Sequence, residues 1–269
     1  MSHFEPQPHF GQQVGTLYED LANWPGQQHF QDCQLQCERF IAQLYWNRSI
    51  REDRWVDYAI AYGYALSDFD PSQRGGVYEH NVGAMLDQFG VPVHRVEDAN
   101  IHHLLNELAA DHKVIVSVDA YELWSDSATW KLFDNFLDRL GFEAANHAVV
   151  VSHLNTDDPN NILVTILDPG TGHAKIYQWS DFQNAWADGH FNLLATNYSA
   201  QEFWQLHPEI QHPDLATSIF HYFQHEHPPE YRVFTDYQPF IANYNSATMG
   251  YPTHNTDFSQ IVSSAHRFD

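Results

Sequence analysis

The order of patterns along these 269 residues predicts an α+β fold, with an N-terminal helical part packed on an antiparallel sheet. Three observations carry that reading. Apolar residues recur at helical spacing through roughly the first 110 positions. Short β-branched runs separated by turn-rich connectors follow, from Lys113 to Thr196. The chain is 43% hydrophobic and 15% aromatic, with 17% charged residues, which is a composition able to build a substantial core.

Taken in order, an arm over residues 1–30 carries one amphipathic turn around Leu17, Leu21 and Trp24. In QDCQLQCERFIAQLYWN, Cys33, Cys37, Phe40, Ile41 and Leu44 share one helix face, and Asp32 is the expected N-cap. RWVDYAIAYGYAL is a second helix, followed by a Gly-rich turn from Arg74 to Val77. EHNVGAMLDQFG reads as one helix closed by Gly90, and IHHLLNELAAD as another. KVIVSVD is a buried strand and TWKLFDNFLDRLG a helix. HAVVVSHLN and NILVTILDP are strands joined by TDDPNN, with HAKIYQW as a third. WSDFQNAWAD reads as a helix capped by Ser180, and HFNLLAT as a last strand. The main domain is thus expected over 1–200, with two lobes. Residues 201–269 form an extension packed on it or on a second copy, a route to a homodimer, with PDLATSIFHYFQ its one helical stretch.

Charge narrows the partners. Twelve Lys and Arg against 35 Asp and Glu leave a formal charge of -23. So acidic a surface repels phosphate backbones and anionic lipid, so neither nucleic acid nor membrane is an expected partner. The N-terminus has no basic start and no apolar run, and no stretch approaches the ~20 apolar residues of a membrane helix, so a cytoplasmic location is expected. The two cysteines are not a disulfide framework. Many of the 19 histidines sit in polar, Pro-containing stretches and read as surface residues.

The chemistry gathers around Cys33. A thiolate is the nucleophile of thiol hydrolysis, and a helix N-terminus or a neighbouring imidazolium stabilises it against a free thiol pKa of about 8.5. Cys33 stands where the helix begins, whereas Cys37 lies one turn deeper among apolar residues and reads as a small buried side chain. Position alone leaves Cys33 open between a reactive and a structural thiol. His147 opens the strand pattern HAVVV, where an imidazole can face a cleft as general base. Asp168 ends the next strand, and adjacent antiparallel strands can bring it beside His147 to fix the tautomer. The Cys33 backbone N–H is one oxyanion donor, and Gln27, six residues upstream, can supply a second through its side-chain amide. Asn146 can hold the loop before His147, Asp119 and Glu122 can line the cleft, and the Gly75–Gly76 turn can border it or be a plain turn.

Gln27, five intervening residues and Cys33 opening a helix resemble the papain-like cysteine peptidases. More closely, DCQLQCERFIAQLY, NHAVVV, ILVTILDPGTG and WSDFQNAW, in that order, resemble the bacteriocin-processing peptidases and their stand-alone bacterial relatives, over about residues 27 to 196. The resemblance implies a papain-like fold, hydrolysis of peptide or amide bonds in a peptide or protein substrate, and no metal or organic cofactor. By position it makes Gln27 the oxyanion donor, Cys33 the nucleophile, His147 the base and Asp168 its orienter. Two departures stand out. Gln34 occupies the place where those enzymes commonly carry Gly after the catalytic Cys, and it is expected to crowd the cleft. Gln28 and Gln31 compete with Gln27 for the oxyanion role. No attached transporter is seen, so the double-glycine leader substrate does not carry over.

Three other readings stay open. His102, His103, His221, His225 and His227 with Glu226 offer zinc ligands, although neither HExxH nor Cys-x-x-Cys occurs. A binding protein on a peptidase fold would keep the architecture with an unreactive Cys33. An acyltransferase would use the same thioester with an amine in place of water.

Overall fold

A computed structural model describes residues 11–25, 32–66, 75–124 and 145–211. Its centre is one antiparallel sheet of seven strands: β1 Gln13–Gly15, β2 Val93–Val96, β3 Val114–Val118, β4 His147–Asn155, β5 Leu163–Asp168, β6 His173–Gln178 and β7 Leu193–Thr196. Their order is β2-β7-β3-β4-β5-β6, with β1 pairing the far end of β4. The described helices are α1 Leu17–Asn23, α2 Cys33–Trp46, α3 Glu52–Ala61, α4 Ala84–Gln88, α5 Ile101–Ala109, α6 Ala120–Trp124, α7 Trp179–Ala187 and α8 Ala200–Leu206. The expected α+β class, with the Cys33 helix packed on an antiparallel sheet, is what the molecule shows. Among the described residues, no helix is long and apolar enough to cross a membrane.

Helices cover both faces of the sheet, which explains why β3 and β4 read as continuous apolar runs. Alternation is the signature of a sheet with one wet face. Here Ile115, Ala148, Val150, Leu167 and Leu194 pack with α2, α3, α4 and α8. The intervening Val114, Val116, Val118, Val149 and Val151 pack with α5 and α7 on the other face. Cys37 on α2 is fully buried, and its thiol donates to the Ala148 carbonyl at 3.5 Å, which presses α2 onto β4.

Several elements depart from the sequence reading. EHNVGAMLDQFG is not one helix. A 3-10 turn over Glu79–Asn81 and α4 are separated at Gly83, whose φ of 83° permits the break. The Gly83 N–H donates at 2.9 Å to the buried Glu38 carboxylate on α2, so a tertiary partner fixes the start of α4. Ser180 does not cap α7. The helix starts at Trp179 behind an extended Gln178, which puts Ser180 inside the first turn. Strands β1 and β2 and helices α6 and α8 have patterns too short to stand out. Helix α8 carries a capping box, Ser199 with Glu202, and its Phe203 ring packs 5.3 Å from Tyr45 and 5.8 Å from Trp46. The expected helices TWKLFDNFLDRLG and PDLATSIFHYFQ, and the extension beyond residue 211, lie outside the described residues.

Candidate active site

Cys33 is the first residue of α2 and is partly exposed, one turn above the sealed Cys37. Burial pushes the Cys37 thiol well above its ordinary range, so the two cysteines differ by position along one helix. The expected capping by Asp32 does not occur. Its backbone, at φ −101° and ψ 22°, lies outside the extended region that aims a cap side chain over the first turn. Oδ2 of Asp32 instead accepts from Gln36 Nε2 at 2.7 Å. Gln36 Oε1 accepts from Arg39 Nε at 2.5 Å, and Arg39 reaches Glu52 at 3.2 Å and the Ile50 carbonyl at 3.0 Å. The first-turn N–H groups of α2 are therefore not engaged by a cap side chain.

His147 starts β4, opposite Val118 in the β3 register, and Asp168 ends β5. Antiparallel pairing with a register shift between Val151 and His153 brings these two strand ends together. His147 Nε2 lies 2.7 Å from Asp168 Oδ1. A carboxylate can only accept, so Nε2 carries the hydrogen and Nδ1 is the nitrogen left for another partner. Burial works against a charged imidazole here. The charge of the Cys33 sulfur and hydrogen bonds to Asp168 and Cys33 outweigh it and push His147 up to about 9. Burial would likewise raise the fully buried Asp168, but donors from His147, Trp124 and Gly170 hold its carboxyl below the usual range. The structure thus brings Cys33, His147 and Asp168 together. Gln27 lies outside the described residues.

Two residues that sequence reasoning missed complete the surroundings of Asp168. Trp124, the last residue of α6, donates from Nε1 to Asp168 Oδ2 at 2.7 Å and sets its ring edge-on to His147, centroids 5.1 Å apart. Gly170 donates its N–H to Oδ1 at 2.9 Å. A Cβ on Gly170 would stand 2.7 Å from the Trp124 ring and 3.2 Å from His147 Cε1, so the absence of a side chain lets both rings close over the carboxylate. The sequence signal for Gly170 was the PGTG turn itself. Trp124 had none, because α6 is five residues long.

The supporting residues fall into place around this centre. Asn146 donates to Asp119 Oδ1 at 2.9 Å and accepts from the Ala120 N–H at 2.9 Å, tying the entry to β4 onto the start of α6. Asp119 and Glu122 are buried in that junction and do not line an open cleft. Asp119 holds Asn146 and the Tyr121 N–H, and Glu122 meets Asn184 of α7. Gln34 does not crowd the cleft either: it is buried and donates along the helix to Glu38 at 2.8 Å. Gly75, with φ at 88°, packs against Asp32, and a Cβ there would stand 2.7 Å from the Asp32 Cβ. Among the described residues, no group of three or more His, Cys, Asp and Glu is arranged to hold a metal ion; His221 and His225 to His227 lie outside them.

Chemically, this is a sulfur on a helix N-terminus beside an imidazole whose far nitrogen is anchored on a buried carboxylate. Such an arrangement can move a proton between sulfur and imidazole while holding the ring still. Among solved structures, the chain is similar to a crystal structure described as a C39-like peptidase from Bacillus anthracis, at 13% identity and a TM-score of 0.45, over 69% of this chain and 97% of that one. No family model matches the sequence, and no curated protein matches it.

Proposed function

We propose that this chain is a papain-like cysteine hydrolase of peptide or amide bonds that works through a thioester. The observation that carries the reading is His147 standing between Cys33 and Asp168, with its Nε2–H committed to the carboxylate at 2.7 Å. In the mechanism, the imidazole holds the thiol proton, and the sulfur attacks the substrate carbonyl carbon. The carbonyl electron pair moves onto oxygen, where the Cys33 N–H and the Gln27 amide are the assigned donors. Collapse breaks the C–N bond, and His147 gives its proton to the departing amine. Water then attacks the thioester as His147 takes one of its protons. The acid leaves and Cys33 is regenerated. Asp168 stays ionised throughout, as its depressed pKa favours, and keeps the imidazole in register.

The test is the rate of Cys33 alkylation by iodoacetamide against pH, read by peptide mass spectrometry, in wild type and His147→Ala. It is paired with release of amines from a mixed peptide library. Fast alkylation at pH 6 that falls roughly a hundredfold in the variant is expected, since an unassisted thiol is only about 0.3% thiolate there. An ordinary thiol profile in both proteins would refute the reading.

A further inference from the structure

Helix α6 has only five residues, so few of its hydrogen bonds are its own and its place is set by what its ends hold. Its start is tied to Asn146 and Asp119. Its end is held from β6. The Tyr177 hydroxyl donates to the Leu123 carbonyl at 3.0 Å, and Lys175 Nζ reaches the same oxygen at 3.5 Å. The two residues share one face of the strand, and the Lys175 ammonium sits 5.0 Å from the centre of the Tyr177 ring. Tyr177 is buried, in the same core cluster as the Leu123 side chain.

A buried phenol finds an acceptor in any well-packed fold, so the bond by itself says little. Which acceptor it takes is what matters. The Leu123 carbonyl shares a rigid peptide plane with the Trp124 nitrogen, so holding that oxygen fixes the backbone from which the indole hangs. The indole N–H then donates to Asp168 at 2.7 Å. Asp168 ends β5 and pairs with His173 at the start of β6, so one hairpin carries both the carboxylate and the two donors. Trp124 is gripped by that hairpin at both ends: its backbone through Tyr177 and Lys175, its indole through Asp168, with Gly170 of the connecting turn against the ring.

Resting on the hydrolase reading above, we propose that Tyr177, assisted by Lys175, is a positioning residue for the Asp168–His147 pair. It acts through Trp124. Without the Tyr177 hydroxyl the Leu123–Trp124 peptide loses a restraint, and the indole leaves Asp168 more often. The carboxylate then has one donor fewer for part of the time while it anchors the imidazole.

The test is the rate at which the Trp124 indole N–H exchanges with solvent, read by NMR on the isotope-labelled full chain in wild type, Tyr177→Phe and Lys175→Met. The Trp124 signal is identified by its loss in Trp124→Phe. The Trp46 indole, fully buried and bonded to the Phe89 carbonyl at 2.8 Å, is the internal reference for opening of the fold as a whole. Tyr177→Phe deletes one oxygen and should speed Trp124 exchange relative to Trp46 by roughly three- to tenfold, the range for loss of one hydrogen bond. Lys175→Met removes the longer contact and should speed it less. A Tyr177 that only stabilises the fold would speed both indoles alike, and that result, or no change, would overturn the proposal. Lys175 is half-buried and its replacement keeps the stem, so an unaltered Trp124 rate in Lys175→Met would overturn the proposal should Tyr177→Phe fold poorly.

A second readout follows the grip to the reacting pair. The titratable groups facing His147 are Cys33 of α2 and Asp168 of β5. A donor lost from Asp168 leaves its charge freer to attract the imidazolium, so His147 should titrate at higher pH in Tyr177→Phe. In the double variant with Trp124→Phe it should move no further than in Trp124→Phe alone, and additive shifts would overturn the route through Trp124. Cys33 alkylation in His147→Ala judges the hydrolase reading separately, because indole exchange requires no reaction. An ordinary thiol profile there sinks that reading; a working pair with unselective indole exchange sinks only the role of Tyr177.

Discussion

Replacing Trp124 by Phe removes one N–H donor from Asp168 and leaves an aromatic ring against His147. The lost bond is a 2.7 Å contact to a fully buried carboxylate. Hydrogen bonds to charged groups contribute about 1.5–3 kcal/mol, and a buried acceptor left short of a donor carries the cost in full. The Asp168 carboxyl should therefore rise from its depressed position toward the ordinary carboxylate range. It remains ionised, and with one donor gone its charge is less shared, so it attracts the imidazolium of His147 more strongly. His147, held at about 9, should then titrate at still higher pH. Because its pKa is raised in the fold, the stability this imidazole contributes is present below its unfolded value near 6.5 and is lost as pH rises through about 9. In Trp124→Phe that loss should begin at higher pH. The assays are the alkaline limb of Cys33 alkylation, histidine titration by NMR, and thermal unfolding at pH 7 and 9. An alkaline limb that stays where it is in wild type, in a variant that folds, would show that Trp124 does not act on the pair through Asp168.

Two further outcomes follow from the same geometry. Gly170→Ala should displace the Trp124 and His147 rings, whose atoms lie 2.7 and 3.2 Å from the new Cβ, and slow Cys33 alkylation by about tenfold or more with a smaller change in melting temperature; unaltered alkylation would refute the close-approach argument. Glu38 is fully buried, and burial raises its carboxyl from 4.5 to about 7, so its stabilising contribution is complete below about pH 4.5 and lost as pH rises through 7. That shift amounts to a few kcal/mol, so Glu38→Gln should flatten much of the decline in urea stability between those pH values, with Asp32 responsible for the remainder. An unchanged slope would rule out Glu38 as its source.

The local patterns made much of the sheet and its helices legible. β-branched runs at 114–118, 147–155 and 163–168 form strands because valines and isoleucines fill both faces of a doubly covered sheet. The helical face of Cys37, Phe40, Ile41 and Leu44 buries as its spacing requires. Short elements escaped, since three strand residues at Gln13–Gly15 or five helical ones at Ala120–Trp124 contain too few repeats for any period to register.

What the sequence determined by itself was the class of fold and the chain order of a sulfur, an imidazole and a carboxylate at the ends of predictable elements. Each of those placements depends on local propensity and patterning. What the tertiary structure decided was where the polar side chains spend their hydrogen bonds. Glu38 of α2 accepts from the Gly83 N–H ahead of α4, Asn146 donates to Asp119 beside α6, and Trp124 donates to a carboxylate 44 positions away. A buried polar atom takes whichever partner the packed chain brings within about 3 Å, and that partner is chosen by contacts between elements that no local pattern encodes.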